Sequence, residues 1–274
     1  MTKQVVFIAD IVQSKKIQKR HETQKRLLDI MDVLNNSFAN DITRKVVVSS
    51  GDSFQGLFKN SSSAFLYIRA MQMFMYPIKI RASIGMGKLD YLEEKMNSNE
   101  LDGEAYHNAK KGLDAITKNK SEEIVYVSDE LSDSNVNIQM KMYIKLRHIE
   151  GTQSHKYWLI NELMNPMSLN GEISYAEDFD IILRWNFDET NNLTANDKQI
   201  REIKRFSLKS LLSVEGKIVC KNSDYVLRGI QGDLAEIMGT SRQNVNKFFR
   251  KFIMDERMYS GEIARLLAKK DGGG

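Results

Sequence analysis

The sequence predicts an α/β (α+β) fold, an antiparallel-rich sheet with helices packed on it, followed by a helical C-terminal region. Three observations carry this. Short β-rich apolar runs alternate with longer stretches of helical period from Gln4 to Val127. Two of those runs meet at Gly51-Asp52, a turn signal that marks an antiparallel hairpin. Beyond Asn165-Pro166 the β runs stop and helical patterns take over.

The elements follow in order. Gln4–Ala9 is rich in Val, Phe and Ile and reads as a buried strand. From Glu22 to Phe38 the residues Leu27, Leu28, Ile30, Met31, Leu34 and Phe38 recur at helical spacing. Lys45–Ser50 and Ser53–Phe58 form the hairpin. Ser61–Met75 returns to helical period, with serines as candidate caps and methionines as core filler, and Pro77 ends it. Ile78–Met86 is a strand, Tyr91–Leu101 a loop or short helix, and Gly103–Lys118 a helix. Ile124–Val127, Met142–Leu146 and Lys156–Ile160 read as further strands. A long helix is expected over Lys198–Val219, and Asp271–Gly274 reads as a frayed tail. The expected domains are 1–162, a linker or docking segment 163–197, and a helical domain 198–274.

The composition is that of a soluble globular protein: 274 residues, 42% hydrophobic and 28% charged. A net charge of +4 is too small to mark a nucleic-acid binder, so that reading has to rest on local placement of charge. The single cysteine, Cys220, excludes an internal disulfide and a Cys-rich zinc site. No run approaches the roughly 18 apolar residues that cross a bilayer. The expected location is the cytoplasm, with no membrane partner. Neither a Walker lysine loop nor a Ser-His-Asp arrangement is present.

Residues Gln231–Phe249 fit a helix-turn-helix. Ala235 is small where two helices cross, and Gly239 suits a left-handed turn. Leu234, Ile237, Val245 and Phe248 supply a shared apolar core. Ser241 can cap the second helix, which then presents Arg242, Gln243, Asn244, Asn246 and Lys247, with Arg250 beyond. Those side chains hydrogen-bond base edges and phosphates, so DNA is the expected partner, met as a homodimer on a palindrome. The other reading is an ordinary helical hairpin with a polar face. A winged form, with Met254–Lys270 as a further helix, fits the pattern.

Two aspartates stand at the edges of strand-like runs, Asp10 in Phe7-Ile8-Ala9-Asp10-Ile11-Val12 and Asp52 in Ser50-Gly51-Asp52-Ser53-Phe54. Taken singly, each is a common strand-end cap or turn residue. Together with Arg81-Ala82-Ser83-Ile84-Gly85-Met86-Gly87 and Asp102–Lys110 they form four ordered blocks. These blocks resemble the SatD family, a bacterial group often carrying a C-terminal helix-turn-helix. They are also similar, in order and spacing, to the class III nucleotidyl cyclase core, over about residues 3–128.

The resemblance implies a ferredoxin-like, cyclase-type sheet in which Asp10, Asp52 and the Ile11 carbonyl hold two Mg²⁺ or Mn²⁺ ions. It implies a nucleoside triphosphate as ligand, contacted by Val12, Gln13, Ser14, Lys15, Gly51 and Asp102. Asn108 or His107 and Lys111 fall where the cyclases keep a transition-state Asn and Arg. Val48 stands where they read adenine with a lysine, and Lys111 lacks the arginine fork. Such sites form between two subunits, so a homodimer is implied. The products of this reading are a cyclase-like enzyme or a catalytically inactive nucleotide-sensing regulator.

Overall fold

The computed structural model describes residues 3–90, 97–100, 102–118, 120, 123–148, 152–167, 173–186 and 230–272. The expected helix over Lys198–Val219, Cys220 and most of Tyr91–Leu101 lie outside the described residues. The chain divides into two compact units, Met1–Ile144 with Ile263–Gly274, and Lys145–Glu262.

In the first unit the strands are β1 (Gln4–Ile11), β2 (Ile42–Ser50), β3 (Ser53–Phe58), β4 (Ile80–Gly87) and β5 (Ile124–Val127), in spatial order β2-β3-β1-β4-β5. β1 is central and antiparallel to both β3 and β4, while β5 runs parallel to β4. Both faces of β1 are covered, which is why it reads as one apolar run. Its odd-numbered side chains face the helices α1 (Arg20–Ser37) and α2 (Ser61–Phe74), where Phe7 packs edge-on or tilted against Phe54, Phe58 and Tyr67. Val6 and Ile8 face the other way, with Leu57, onto Ala105, Ala109, Leu113 and Ile116 of α3 (Glu104–Thr117).

Each edge strand is pinned by one asparagine. Asn35 of α1 donates to the Val46 carbonyl at 2.8 Å and accepts from its amide at 2.9 Å. Asn137 does the same for Tyr126 from α4 (Asp133–His148), at 2.8 and 2.7 Å. Satisfying these backbone groups covers edges that otherwise recruit another strand.

The last helix, α9 (Met254–Asp271), corrects the frayed-tail expectation at Asp271. Its carboxylate accepts from the Ser61 amide at 2.9 Å and the Ser61 hydroxyl at 2.7 Å, at the first turn of α2. Asn60, rather than a serine, is the N-cap there, accepting from the Ser63 amide at 2.7 Å. Ser61 is fully buried, so Asp271→Ala leaves two donors without an acceptor. The expected cost is about 1–2 kcal/mol, read as a lower urea midpoint at unchanged slope.

In the second unit, Lys156–Ile160 lies inside helix α5 (Thr152–Met164) and is not a strand. Residues 154–164 are buried all round, so no polar face disclosed the helical period. Met142–Leu146 likewise belongs to α4, where Val136, Met140, Tyr143 and Ile144 are the buried positions. Trp158 donates to Glu256 at 2.9 Å, and the buried Arg257 pairs with Glu162 at 3.1 Å. Phe179–Asn186 is a short helix, α6. No helix among the described residues is long and apolar enough to cross a membrane.

Candidate functional site

Asp10 sits near the C-terminal end of β1, opposite Ser53 on one side and Arg81 on the other. Strand alternation gives it the α3 face, the one Val6 and Ile8 also share. Asp52 precedes Ser53 in the Gly51-Asp52 turn, with Gly51 at φ +60°, a conformation that glycine adopts without strain. The hairpin thus carries Asp52 to the same end of the sheet as Asp10.

The Asp10 carboxylate is already engaged. Arg81 Nε donates to Oδ1 at 2.6 Å and Nη2 donates to Oδ2 at 3.0 Å. A third donor, Arg81 Nη1, reaches the Thr117 carbonyl at 3.2 Å, at the C-terminus of α3 where the helix dipole is negative. Both side chains are largely buried, 10% exposed for Arg81 and 14% for Asp10. Burial pushes the Asp10 carboxyl above its usual value. The Arg81 hydrogen bonds and charge oppose that push, and the charge of Asp52 adds to it. Asp52 is the residue before Ser53, the cross-strand partner of Asp10, so the two aspartates are neighbours at this end of the sheet.

Ile11 and Val12 are buried, and the Val12 amide donates to the Lys79 carbonyl at 2.9 Å. Gln13 takes a left-handed conformation, φ 55°, which turns the chain sharply after the strand. α1 opens only after this segment, at Arg20. Ser14–Lys16 is a single 3₁₀ turn whose carbonyls at Gln13 and Ser14 bind the Lys16 and Ile17 amides, and Lys15 and Lys16 are exposed.

The remaining expected residues lie at the other end of β4. Asn108 is buried and donates to the Met86 carbonyl at 3.0 Å. Met86 is five residues beyond Arg81 on β4, about 17 Å at the strand rise. His107 and Asp102 are exposed and 3.3 Å apart, and Lys111 pairs with Asp129 at 2.7 Å in solvent. Val48 is half-buried on β2. Within one chain, Asp10, Asp52 and the Gln13–Lys16 turn are thus grouped at one end, while Asp102, His107, Asn108 and Lys111 are not with them.

The donor chemistry fits a hard divalent ion only in part. Two carboxylates suit Mg²⁺ held jointly with substrate phosphates, which is its usual manner of binding. No group of three or more His, Cys, Asp or Glu occurs among the described residues, so there is no free-standing metal cage there. Arg81 reads in the sequence as a support of the sheet edge, with a phosphate contact as the alternative, and its pairing with Asp10 is what sequence reasoning missed. Its signal was a charge inside an otherwise apolar strand, which requires a buried counter-charge.

The second candidate lies in the unit Lys145–Glu262. Helices α7 (Ile230–Met238) and α8 (Arg242–Phe248) meet at Gly239, φ +60°. The Thr240 amide bonds the Ala235 carbonyl and the Gly239 amide bonds the Glu236 carbonyl, at 3.0 and 3.2 Å, closing α7 with a Schellman turn. Ser241 caps α8, accepting from the Asn244 amide at 3.2 Å. Leu234, Ile237 and Val245 are buried between the helices. The inward aromatic is Phe249, not Phe248, which stacks on Tyr157 with ring centres 4.7 Å apart. The chain enters a π-helical turn, Phe249–Ile253, at that point. Ser241, Arg242, Gln243, Asn244, Lys247 and Arg250 are exposed, and Asn246 is half-buried.

A family model described as the SatD family matches residues 4–200. No curated protein matches the chain.

Proposed function

The chain belongs to the SatD family, and from that premise we propose that it is a cyclase-like protein that binds a nucleoside triphosphate with a divalent ion and contacts DNA through a helix-turn-helix. The observation that carries this reading is the placement of Asp10 and Asp52 as neighbours at one end of the sheet, Asp52 directly preceding Ser53, the cross-strand partner of Asp10. A bound Mg²⁺ or Mn²⁺ would supply charge neutralisation for the phosphates. Asp10, Asp52 and the Ile11 carbonyl would hold it. The Gln13–Lys16 turn would lie beside the phosphate chain, with Lys15 adding charge. In the catalytic form the 3′-oxygen bonds to the α-phosphorus, pyrophosphate leaves, and the hydroxyl proton passes to solvent. His107 and Lys111 would then come from a second copy of the chain, which makes the working unit a homodimer.

The geometry also favours a second reading, a sensor without turnover. Arg81 holds both oxygens of Asp10, Asn108 is committed to the Met86 carbonyl, and Lys111 to Asp129. In this reading nucleotide occupancy changes how Arg242, Gln243, Asn244 and Lys247 meet DNA.

One set of assays separates the readings. Purified protein is incubated with each NTP and Mn²⁺, alongside Asp52→Asn. Cyclic product that vanishes in the variant supports the enzyme. Nucleotide binding without product, together with a nucleotide-dependent gel shift, supports the sensor. Loss of neither nucleotide nor metal binding in Asp52→Asn sinks both. For the DNA arm, Arg242→Ala is expected to weaken binding and to lower the salt slope by about 1. An unchanged affinity and slope would remove DNA from the proposal.

A further inference from the structure

Arg81 is built into the site more firmly than a surface counter-ion. Three of its donors are used, two on Asp10 and one on the Thr117 carbonyl, and its side chain is 10% exposed. The fork takes one lone pair on each Asp10 oxygen and sets a positive charge directly against the carboxylate, so a cation approaching the remaining lone pairs meets the guanidinium's charge. A divalent ion and this guanidinium compete for the same two atoms. A triphosphate changes that balance, because it offers a planar guanidinium an alternative set of anionic oxygens at the same end of the sheet.

We propose that Arg81 makes divalent-ion binding conditional on the nucleotide. Without nucleotide the guanidinium occupies Asp10 and keeps the ion out. With nucleotide, Arg81 transfers its donors to phosphate oxygens and Asp10 becomes a ligand. Metal and nucleotide then bind cooperatively, each strengthening the other by the same factor, as linkage requires. Arg81 is on this view a positioning residue that also sets the order of binding. The proposal rests on the nucleotide-and-metal reading of the site.

The test is Mn²⁺ titration of the full chain, followed by the electron paramagnetic resonance signal of the free aqua ion. It is run with and without the α,β-methylene analogues of ATP and GTP. Wild type is expected to bind Mn²⁺ weakly alone and roughly thirty-fold more tightly with an analogue, within the usual range for coupled sites. Arg81→Gln is expected to bind Mn²⁺ alone about ten-fold more tightly than wild type and to lose most of the coupling. Arg81→Lys keeps the charge but cannot hold both oxygens, so its affinity for Mn²⁺ alone should fall between the two. Should Arg81→Gln fail to fold by circular dichroism, the lysine variant carries the comparison. An Arg81→Lys protein indistinguishable from wild type overturns the proposal, as does Arg81→Gln with full coupling. If wild type binds no Mn²⁺ even with an analogue, the underlying site reading falls, and this proposal with it.

Discussion

Gly85→Val is expected to destabilise the sheet-bearing unit by more than about 3 kcal/mol, the upper part of the range for overpacking. The reason is the closeness of α3 to β4. A Cβ at Gly85 would overlap the Ala105 carbonyl oxygen and the Ala109 amide nitrogen. Both are backbone atoms, so no rotamer change relieves the clash and the helix has to lift. The same seam recurs on either side. A Cβ at Gly87 would lie 2.8 Å from the Ala105 amide, and one at Gly112 would overlap the Ser83 hydroxyl. Lifting α3 withdraws Leu113 and Ile116 from Val6, Ile8 and Leu57, and so uncovers a whole face of the sheet. It also moves Thr117, which holds Arg81. Urea unfolding followed by circular dichroism checks this. A Gly85→Val midpoint equal to wild type would show that the helix does not pack as closely as the seam requires.

That seam was only partly legible in the sequence. The element order up to Val127 was readable because each strand and helix carries its own local period, such as Leu27, Ile30, Met31 and Leu34 on α1. Gly85 and Gly87 stood out as glycines in a strand, but nothing local says which helix approaches them. The misread strands, Met142–Leu146 and Lys156–Ile160, are short apolar runs in helices, and run length alone does not separate the two. At the site, Asp10 and Asp52 were visible as acids beside apolar runs. Their proximity, and the pairing of Asp10 with Arg81, are matters of register: Arg81 lies opposite Asp10 only once β1 and β4 align antiparallel. Asp271 gave no signal, because its partner Ser61 lies 210 residues away. The polar face of α8 was legible at Arg242–Asn244, where exposure follows from helical phase, and slipped at Phe248, where a π turn shifts that phase.

The Asp10–Arg81 pair is expected to show strong coupling in a double-mutant cycle. Asp10→Ala leaves a nearly buried guanidinium without its counter-charge, and should cost about 3 kcal/mol. Arg81→Ala is gentler, because the carboxyl left behind can take up a proton, a form that its burial already favours. The double variant removes both charges and should be less destabilised than the sum of the singles, by about 2 kcal/mol. Chemical denaturation of the four proteins gives the coupling directly. Additive losses would mean that the pair behaves as an exposed one, worth little, despite its geometry. The cycle also bears on function. If Asp10→Ala unfolds the unit, its loss of nucleotide binding says nothing about metal ligation. Asp10→Asn is the sharper variant: it keeps the side-chain shape and one of the two acceptors for Arg81 while removing the charge that a divalent ion needs, so it should cost less than Asp10→Ala. A folded unit, less destabilised than Asp10→Ala, together with lost Mn²⁺ binding is the expected result. Retention of both the fold and Mn²⁺ binding would mean that Asp10 serves the fold alone and that the ion, if bound, is held elsewhere.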